Sequence, residues 1–514
     1  MSYFLGVDLG TMLIKAAIFD VNANLISLSS REINVEFPKP GWAEQDPNIL
    51  WKTTCDVIKN CLRKSGISSS EILGVGLTGQ MHCTFLIDNK GHLLRNKAII
   101  WLDSRSQDIL SEYSQRGLVD VLYEITGWRL IPSMQLLHLI WLKRNESETL
   151  KKEGIFLSCK DYIRYKLTGE LCTDITEASV SGLFNPIKKS WSEEVLQLTN
   201  LTDISNILPE IRNPWELAGE VNIQASKETG LRVGTPVAVG AGDICSSALG
   251  AGAVKPGQLC MIIGTAGIYE LVTDTPVMDH AKSYSIVCHA VPDVWLLGSF
   301  QMTAGASLRW FKDEFCYEEI VKAKRLRSDV YKLIDKKAEQ SPLGAKGVIF
   351  HPYLKGERSP FVKPAAKGLL FGLSLETKKE DILRAILEGV AYAAKDNIDV
   401  FKNRGINITE IRLTGGAANS HIWCQILTDV LGMCVLVPKI KDSGILGSII
   451  ETSVATGLYR HISEATKKFV KIERIFSPNL DNVKKYSKLF SMYRKLYKLL
   501  WDFYEEYDSV ISLQ

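Results

Sequence analysis

Two stretches of this chain share one pattern: a short apolar run, a turn of small residues and a second apolar run. In residues 4–20 the first run ends at Asp8, and the turn contains Gly10 and Thr11. Residues 257–275 repeat the pattern with Gly-Thr-Ala-Gly at the turn. Short apolar runs bounded by glycine are typical of β-strands. The repeat predicts two halves of similar design that face a nucleotide from opposite sides.

The turn after Asp8 allows two interpretations. Asp, Gly and Thr are ordinary turn residues, so the stretch can be a plain β-hairpin. The same residues also suit phosphate chemistry. Glycine lets backbone N–H groups approach an anion closely, a threonine hydroxyl can donate to it, and a carboxylate can hold Mg²⁺ through water. These residues alone leave both interpretations open.

Length and charge limit the class of protein. The 514 residues exceed one ordinary core, so two or more domains are expected. The 61 basic and 58 acidic residues give a net charge of +3, which does not favour nucleic acid or a membrane as the main partner. No basic N-terminal region precedes an apolar core, and no apolar run is long enough to span a bilayer. We expect a cytoplasmic protein without nucleic-acid or membrane partners.

The cysteines and histidines predict neither disulfides nor a metal site. The chain has 11 cysteines, an odd number, with no C-x-x-C pair. We therefore expect reduced thiols that are buried as small apolar side chains. The eight histidines lack metal-ligand spacing, so no zinc site is predicted.

Strand-like runs alternate with helical stretches, which predicts an α/β fold. Residues 72–79 are typical of a strand, and residues 48–66 have helical periodicity with a glycine stop. Residues 410–420 form another strand with small residues at its end, followed by a helical stretch.

The chain is divided near residues 243–257, where a β-rich run ends in glycines and an acid. We assign residues 1–246 to a first domain and residues 247–514 to a second. Within the second domain, residues 479–507 are predicted to be a helical tail, because apolar side chains recur there at i, i+3 and i+4. That stripe indicates packing on the core.

Several short motifs occur in a fixed order along the chain. They are DLGT (8–11), GWAEQDP (41–47), GQMH (79–82), WLDSR (101–105), KDYIRYKLTGE (160–170), GAGD (240–243), GTAG (264–267), HPYLKGERSP (351–360) and TGGAANS (414–420). In this order they resemble the FGGY family of carbohydrate kinases, and residues 368–388 match the C-terminal signature of that family in order and spacing. The resemblance extends from residue 4 to about residue 459.

The resemblance implies a fold, an activity and cofactors. The fold is the two-domain actin-like or hexokinase-like ATPase fold, with two ribonuclease H-like domains around a cleft. The activity is ATP- and Mg²⁺-dependent phosphorylation of a small sugar at a terminal hydroxyl. D-Xylulose is the expected substrate, with gluconate or another pentulose or polyol as alternatives. A non-catalytic nucleotide-binding relative is a competing interpretation. A homodimer is common among relatives.

The resemblance also assigns residues to the nucleotide. Asp8 would lie near Mg²⁺ and hold it through water. The nucleotide-binding residues implied by the matching motifs are Asp8, Gly10, Thr11, Lys15, Gly264, Thr265, Gly305, Arg309, Gly416, Ala417, Asn419 and Ser420.

Asp243 is the implied catalytic residue. By resemblance it accepts the proton of the sugar hydroxyl as that oxygen attacks the γ-phosphorus. Phosphoryl transfer depends mainly on positioning and charge neutralisation, with one base near the attacking oxygen. The competing structural role is an aspartate that caps the helix after it, and one residue can do both.

The sugar pocket is implied by the motifs around residues 80 and 101. Its candidates are Gln80, Met81, His82, Trp101, Asp103 and Asp243. A histidine after a strand is more often structural, so the resemblance carries most of this assignment.

The chain departs from the family pattern at a few positions. Met12 and Ala266 replace hydroxyl residues of the two phosphate loops, and His138 stands where the family's N-terminal signature expects lysine. Ile244 and Cys245 follow the candidate base. These departures leave the identity of the sugar open.

Overall fold

The computed structural model describes residues 2–150 and 154–511. Its contacts divide the chain into two compact units. Unit 1 contains Met1–Val254, Thr273–Leu296 and Asp442–Lys471, and unit 2 contains Lys255–Val272, Leu297–Lys441 and Ile472–Gln514. Because these units are defined by contacts, the predicted domain limits of 1–246 and 247–514 stay a prediction.

The fold is mixed α/β, as predicted. The strands are β1 (Tyr3–Leu9), β2 (Leu13–Asp20), β3 (Leu25–Glu32), β4 (Glu44–Gln45), β5 (Ile72–Gly79), β6 (Phe85–Asp88), β7 (Ala98–Ile99), β8 (Gly154–Leu157), β9 (Cys172–Asp174), β10 (Phe184–Asn185), β11 (Ser190–Trp191), β12 (Glu210–Arg212), β13 (Leu217–Glu220), β14 (Pro236–Ala238), β15 (Ala241–Gly242), β16 (Gln258–Ile263), β17 (Gly267–Thr273), β18 (Ser285–Cys288), β19 (Trp295–Gln301), β20 (Ile349–His351), β21 (Leu369–Phe371), β22 (Glu410–Thr414), β23 (Val435–Pro438) and β24 (Ile472–Phe476).

Helices alternate with these strands along the chain. They are α1 (Pro47–Ser65), α2 (Gln107–Gln115), α3 (Leu118–Thr126), α4 (Gln135–Asn145), α5 (Ser147–Leu150), α6 (Cys159–Thr168), α7 (Ile175–Val180), α8 (Glu193–Leu198), α9 (Ile223–Thr229), α10 (Asp243–Ala251), α11 (Gly305–Phe315), α12 (Tyr317–Leu326), α13 (Val330–Ala338), α14 (Lys379–Asn403), α15 (His421–Leu431), α16 (Ser443–Ala455), α17 (Ile462–Phe469), α18 (Leu480–Leu499) and α19 (Trp501–Ile511). Short 3₁₀ turns lie at Ser69–Glu71, Thr202–Ile207, Ala345–Gly347 and Gly416–Asn419. None of the helices in the described ranges is long and apolar enough to cross a membrane.

The main sheet of unit 1 has the strand order β13-β14-β5-β1-β2-β3, and β15 also pairs with β5. The opening stretch forms the predicted hairpin, since β1 and β2 are antiparallel neighbours. β1 and β15 both run parallel to β5. The carboxyl ends of these three strands therefore meet at one edge of the sheet.

Helix α16 packs closely on β1, β5 and α10. A Cβ on Gly447 would lie 2.0 Å from the carbonyl oxygen of Ser246, and one on Gly250 would lie 1.8 Å from that of Ser443. Only glycine fits at these two crossing points, because any side chain would separate the helices.

Unit 2 is built around the order β19-β17-β16-β22-β23-β24, in which β16 and β22 are parallel. The predicted helical tail forms α18 and α19. The prediction that its apolar stripe packs on the core is confirmed, since Tyr486, Phe490, Tyr493 and Tyr497 are buried. The hydroxyl of Tyr493 lies 2.8 Å from that of Tyr353.

The cysteines have the predicted state with one exception. Within the described residues all eleven are free thiols, and ten of them are buried. Cys434, before β23, is exposed.

The close crossing of α10 and α16 generates a stability prediction. Gly447→Ala places a methyl group against the backbone of Ser246, so the free energy of unfolding should fall by about 1–3 kcal/mol. Urea denaturation measures this change. Gly444→Ala in the same helix is the control, because its Cβ would lie 3.3 Å from the flexible Ser247 side chain. Equal stability of the two variants would contradict the proposed tight crossing.

Candidate active site

The predicted site residues of unit 1 converge at one edge of its sheet. In the parallel pairings, Leu9 on β1 and Gly242 on β15 both align with Gly79 at the end of β5. The chain leaves these strand ends through the Asp8 turn, the Gln80 loop and the start of α10. The edge therefore brings together the candidate phosphate loop, sugar loop and base.

Asp8 lies in a group of charges at this edge. Lys15 is its partner in the hairpin register, and the Nζ of Lys15 lies 2.5 Å from Oδ1 of Asp442. Burial raises the pKa of Asp8 to about 6; Lys15 opposes this shift and Asp442 adds to it. Sequence reasoning missed Asp442, and the available signal was an acid directly before the apolar helix of residues 443–455.

The candidate phosphate turn, which joins β1 to β2, is held by hydrogen bonds from the backbone and from side chains. The N–H of Gly10 donates to the carbonyl of Leu13 at 3.1 Å. The indole N–H of Trp101 donates to Oγ1 of Thr11 at 2.7 Å, and Nε2 of Gln45 donates to the carbonyl of Thr11 at 2.7 Å. Trp101, predicted for the sugar pocket, thus contacts the phosphate turn.

The next loop carries the predicted sugar contacts. The N–H of Gln80 donates to the carbonyl of Leu9 at 3.0 Å, which fixes this loop beside β1. Met81 is buried against Gly242, where an added Cβ would lie 2.4 Å from the Met81 Cε. Met81 therefore touches the residue before the candidate base.

His82 adopts a left-handed backbone conformation with φ of 56°. Its ring meets that of Trp128 edge to face, with centroids 5.1 Å apart. A non-glycine residue in this region is uncommon, and such residues cluster at ligand sites. The observed conformation motivates a binding role for His82.

Asp103 has a different environment from the other sugar-pocket candidates. Its carboxylate accepts from the N–H of Ala43 at 2.7 Å and from Nε and Nη2 of Arg105, at 3.0 and 2.8 Å. Arg105 in turn donates to Glu44 at 2.7 Å. With both carboxylate oxygens engaged inside unit 1, these contacts support a structural role for Asp103.

Asp243 is the first residue of α10. It is half-buried, and its Oδ1 accepts from the N–H of Ile244 at 2.8 Å. Burial raises the pKa of Asp243 to about 7, and the nearby charge of Asp8 adds to the shift. A carboxylate that titrates near neutral pH suits general base catalysis. The competing role as a helix cap is not observed, because Gly242 is the N-cap residue of α10 and no side-chain cap hydrogen bond is formed there.

A buried ion cluster supports the segment that precedes Asp243. The Nζ of Lys160 lies 2.6 Å from both Asp161 and Asp174, and Nη1 of Arg164 lies 2.7 Å from Asp161. Nη1 of Arg164 also donates to the carbonyl of Val239 at 3.0 Å. The KDYIRYKLTGE motif therefore has a structural explanation: it anchors the strand that leads to Asp243.

The predicted nucleotide residues of unit 2 lie in the turns after β16 and β22, except Gly305 and Arg309, which lie on α11. The carbonyl of Thr265 accepts from the N–H of Ala304 at 3.0 Å, and that of Gly264 accepts from Gly305 at 2.8 Å. This turn is thereby joined to the start of α11. Thr265 in this turn is exposed, and Arg309 is exposed one turn into α11.

The second turn of this edge follows β22. Gly415 has φ of +82°, and an added Cβ would lie 2.6 Å from the carbonyl oxygen of Ile263. The two turns are therefore adjacent. Beyond Gly415, the 3₁₀ turn places Gly416 and Asn419 at the surface and buries Ala417, and Ser420 caps α15. Glycine turns, a hydroxyl and a helix N-terminus together suit phosphate binding.

The raised pKa of Asp243 predicts a cost in stability. Its folded pKa exceeds the ordinary aspartate value, so ionisation destabilises the fold increasingly as pH rises from about 4 to about 7. Asp243→Asn removes this cost and should raise Tm at pH 8 by roughly 1 to 4 °C, with a smaller gain at pH 5. Asp108→Asn, at an exposed position, is the control. A gain that does not change with pH would contradict the assigned shift.

Comparisons with known proteins place this geometry in a family. The model of "FGGY family of carbohydrate kinases, N-terminal domain" matches residues 3–250. The model of the C-terminal domain of that family matches residues 259–456.

Individual relatives span nearly the whole chain. A xylulose kinase of Staphylococcus epidermidis is 30% identical over 495 residues, which cover 96% of each chain. A gluconokinase of Bacillus subtilis is 31% identical over 519 residues, covering 98% of this chain and 97% of the relative. The crystal structure of ligand-bound xylulose kinase from Lactobacillus acidophilus has a TM-score of 0.89 and 25% identity, covering 99% of this chain and 100% of the other. The predicted resemblance and fold class are confirmed: the chain belongs to the FGGY family of carbohydrate kinases and is a sugar kinase with the two-domain fold of that family.

Proposed function

We propose that this sugar kinase transfers the γ-phosphoryl group of ATP to the terminal hydroxyl of D-xylulose, giving D-xylulose 5-phosphate and ADP. ATP is the phosphate donor of the FGGY sugar kinases. Asp243 accepts the hydroxyl proton while the sugar oxygen forms a bond to the γ-phosphorus. The bond between the γ-phosphorus and the oxygen that bridges it to the β-phosphate breaks, and that oxygen leaves with ADP. The observation that carries this proposal is a half-buried carboxylate whose pKa of about 7 is raised in part by the charge of Asp8, and whose neighbour Gly242 lies against Met81.

A sugar acid is the second candidate, because a gluconokinase is as similar as a xylulose kinase. The charges at the unit 1 edge favour a neutral sugar. Asp8, Asp243 and Asp442 lie there with Lys15, which is already paired with Asp442. An aldonate would add another negative charge to this group at a cost in binding free energy.

The same surplus of negative charge suits Mg²⁺. A hydrated Mg²⁺ commonly uses one or two carboxylates together with substrate phosphates. We assign Asp8 as the residue that would hold the ion through water. Gly10, Thr11 and Lys15 are assigned to contact the phosphates. When bound, the ion supplies neutralisation of phosphate charge. In unit 2, we assign Gly264, Thr265, Gly305 and Arg309 together with residues 416–420 to the nucleotide.

An ADP-coupled assay over several sugars tests the substrate. We expect the highest kcat/KM with D-xylulose, and lower values with L-xylulose, D-ribulose, gluconate and polyols. Each reaction is run with and without ATP, which controls for ADP from other sources. A higher kcat/KM with gluconate would reject the proposed sugar and favour the second candidate. No turnover with any acceptor would favour a non-catalytic nucleotide-binding protein.

Asp243→Asn tests the chemistry. It should lower kcat by roughly 10²–10⁴-fold, because removal of a general base typically costs that much. ADP and sugar affinities, measured by calorimetry, should change little, since the amide keeps the shape of the carboxylate. A kcat close to that of the wild type would remove Asp243 from the proposed role.

A further inference from the structure

The turn that carries Asp243 is held from several sides. Gly240, with φ of 75°, turns the chain after β14, and its N–H donates to the carbonyl of Pro214 at 2.9 Å. The N–H of Gly242 donates to Oγ1 of Thr176 at 2.9 Å. Thr176 in turn donates to Asp174 of the buried ion cluster at 2.5 Å.

The remaining anchor is a carboxyl group from a distant part of the chain. Glu451 on α16 is fully buried. Its Oε2 accepts from the N–H of Ala241 at 3.2 Å, and its Oε1 lies 3.0 Å from Oγ of Ser246. One side chain thus contacts the chain two residues before Asp243 and three residues after it.

Glu451 sits on a rigid support. α16 crosses α10 at the glycine contacts described above, so the helix backbone cannot shift without moving α10. The helix also packs on β1 and β5. Its position is therefore tied to both the phosphate turn and the base.

The contacts of Glu451 suit a protonated acid. Burial raises its pKa well above the ordinary glutamate value. The hydroxyl of Ser246 donates to Oε1 of an ionised Glu451; when Oε1 carries the proton, it donates to Ser246 instead, and the serine hydroxyl can turn to the carbonyl of Ala241, 3.4 Å away. Ala241 would then be bonded through both its N–H and its carbonyl. A glutamine at residue 451 offers the same donor and acceptor.

We propose that Glu451 is a positioning residue, which fixes Asp243 for proton abstraction through its contacts with Ala241 and Ser246. This inference rests on the proposed role of Asp243 as the base. Because Glu451 is fully buried, its loss should affect kcat and leave both KM values nearly unchanged. A misplacement of about 1 Å in a catalytic group can cost about 100-fold in rate.

Two variants at this residue test the proposal. Glu451→Met should lower kcat by about 10- to 100-fold, with KM for ATP and sugar within threefold of the wild type. Glu451→Gln should keep kcat within about threefold, since it preserves both contacts. Thr452→Val is the control, because Thr452 is buried on the same helix and its hydroxyl bonds within that helix, to the carbonyl of Ser448 at 2.6 Å. We expect wild-type kcat for this control.

Hydrogen exchange supplies a readout that does not depend on turnover. The amide of Ala241 should exchange faster in Glu451→Met than in Glu451→Gln or Thr452→Val, because only the first variant removes its acceptor. If Glu451→Met does not fold, Ser246→Ala replaces it and should lower kcat at least threefold. A wild-type kcat in Glu451→Met, or in Ser246→Ala where it replaces that variant, would overturn the positioning role alone if Asp243→Asn is inactive. An active Asp243→Asn would instead overturn the proposed base.

Discussion

The contact on which unit 1 depends is the packing of α16 against β1, β5 and α10. Glycine at the two crossing points lets the helix backbones approach until each lies against the other's carbonyl groups. The helix begins just after Asp442, which pairs with Lys15 on β2, next to the candidate phosphate turn. Further along, it presents Glu451 to the turn of the base. The contacts of this one helix therefore extend to both the candidate phosphate turn and the turn of the candidate base.

Two groups of charged side chains in unit 1 differ in the direction in which the carboxylate pKa is shifted. Around Lys160 and Arg164, the buried charges are matched, and the pKa of Asp161 is held far below its usual range by its own cations despite burial. At the sheet edge, Asp8 and Asp243 lack such matching, and burial raises the pKa of both. Charges that are matched stabilise a fold, and charges left unmatched are free to interact with a ligand. The contrast distinguishes the buried ion cluster from the candidate site.

Local pattern was enough to predict the elements that carry the site. β5 has the limits expected from its apolar run, and the opening hairpin and the helical tail form as periodicity indicated. The site residues after β1 and β5 were grouped by the family resemblance alone, and the structure adds the reason why they meet: these two strands are parallel and end at one edge. Asp442, Thr176 and Glu451 could not be found in this way. Their partners lie far away in the chain, and apolar periodicity carries no information on which polar side chains meet. The same holds for two side-chain hydrogen bonds, from Trp101 to Thr11 and from Arg105 to Asp103, which depend on tertiary structure.

The return of residues 442–471 to unit 1 has a consequence for synthesis on the ribosome. The first continuous stretch of this unit ends at Val254, so roughly 190 residues must be added before Asp442 is made. At about 5–20 residues per second, this takes about 10 to 40 seconds. During that time the nascent chain carries β1, β5 and α10 with the apolar surface that α16 later covers. Chaperone binding and premature aggregation would therefore be decided in this interval, before α16 has left the exit tunnel.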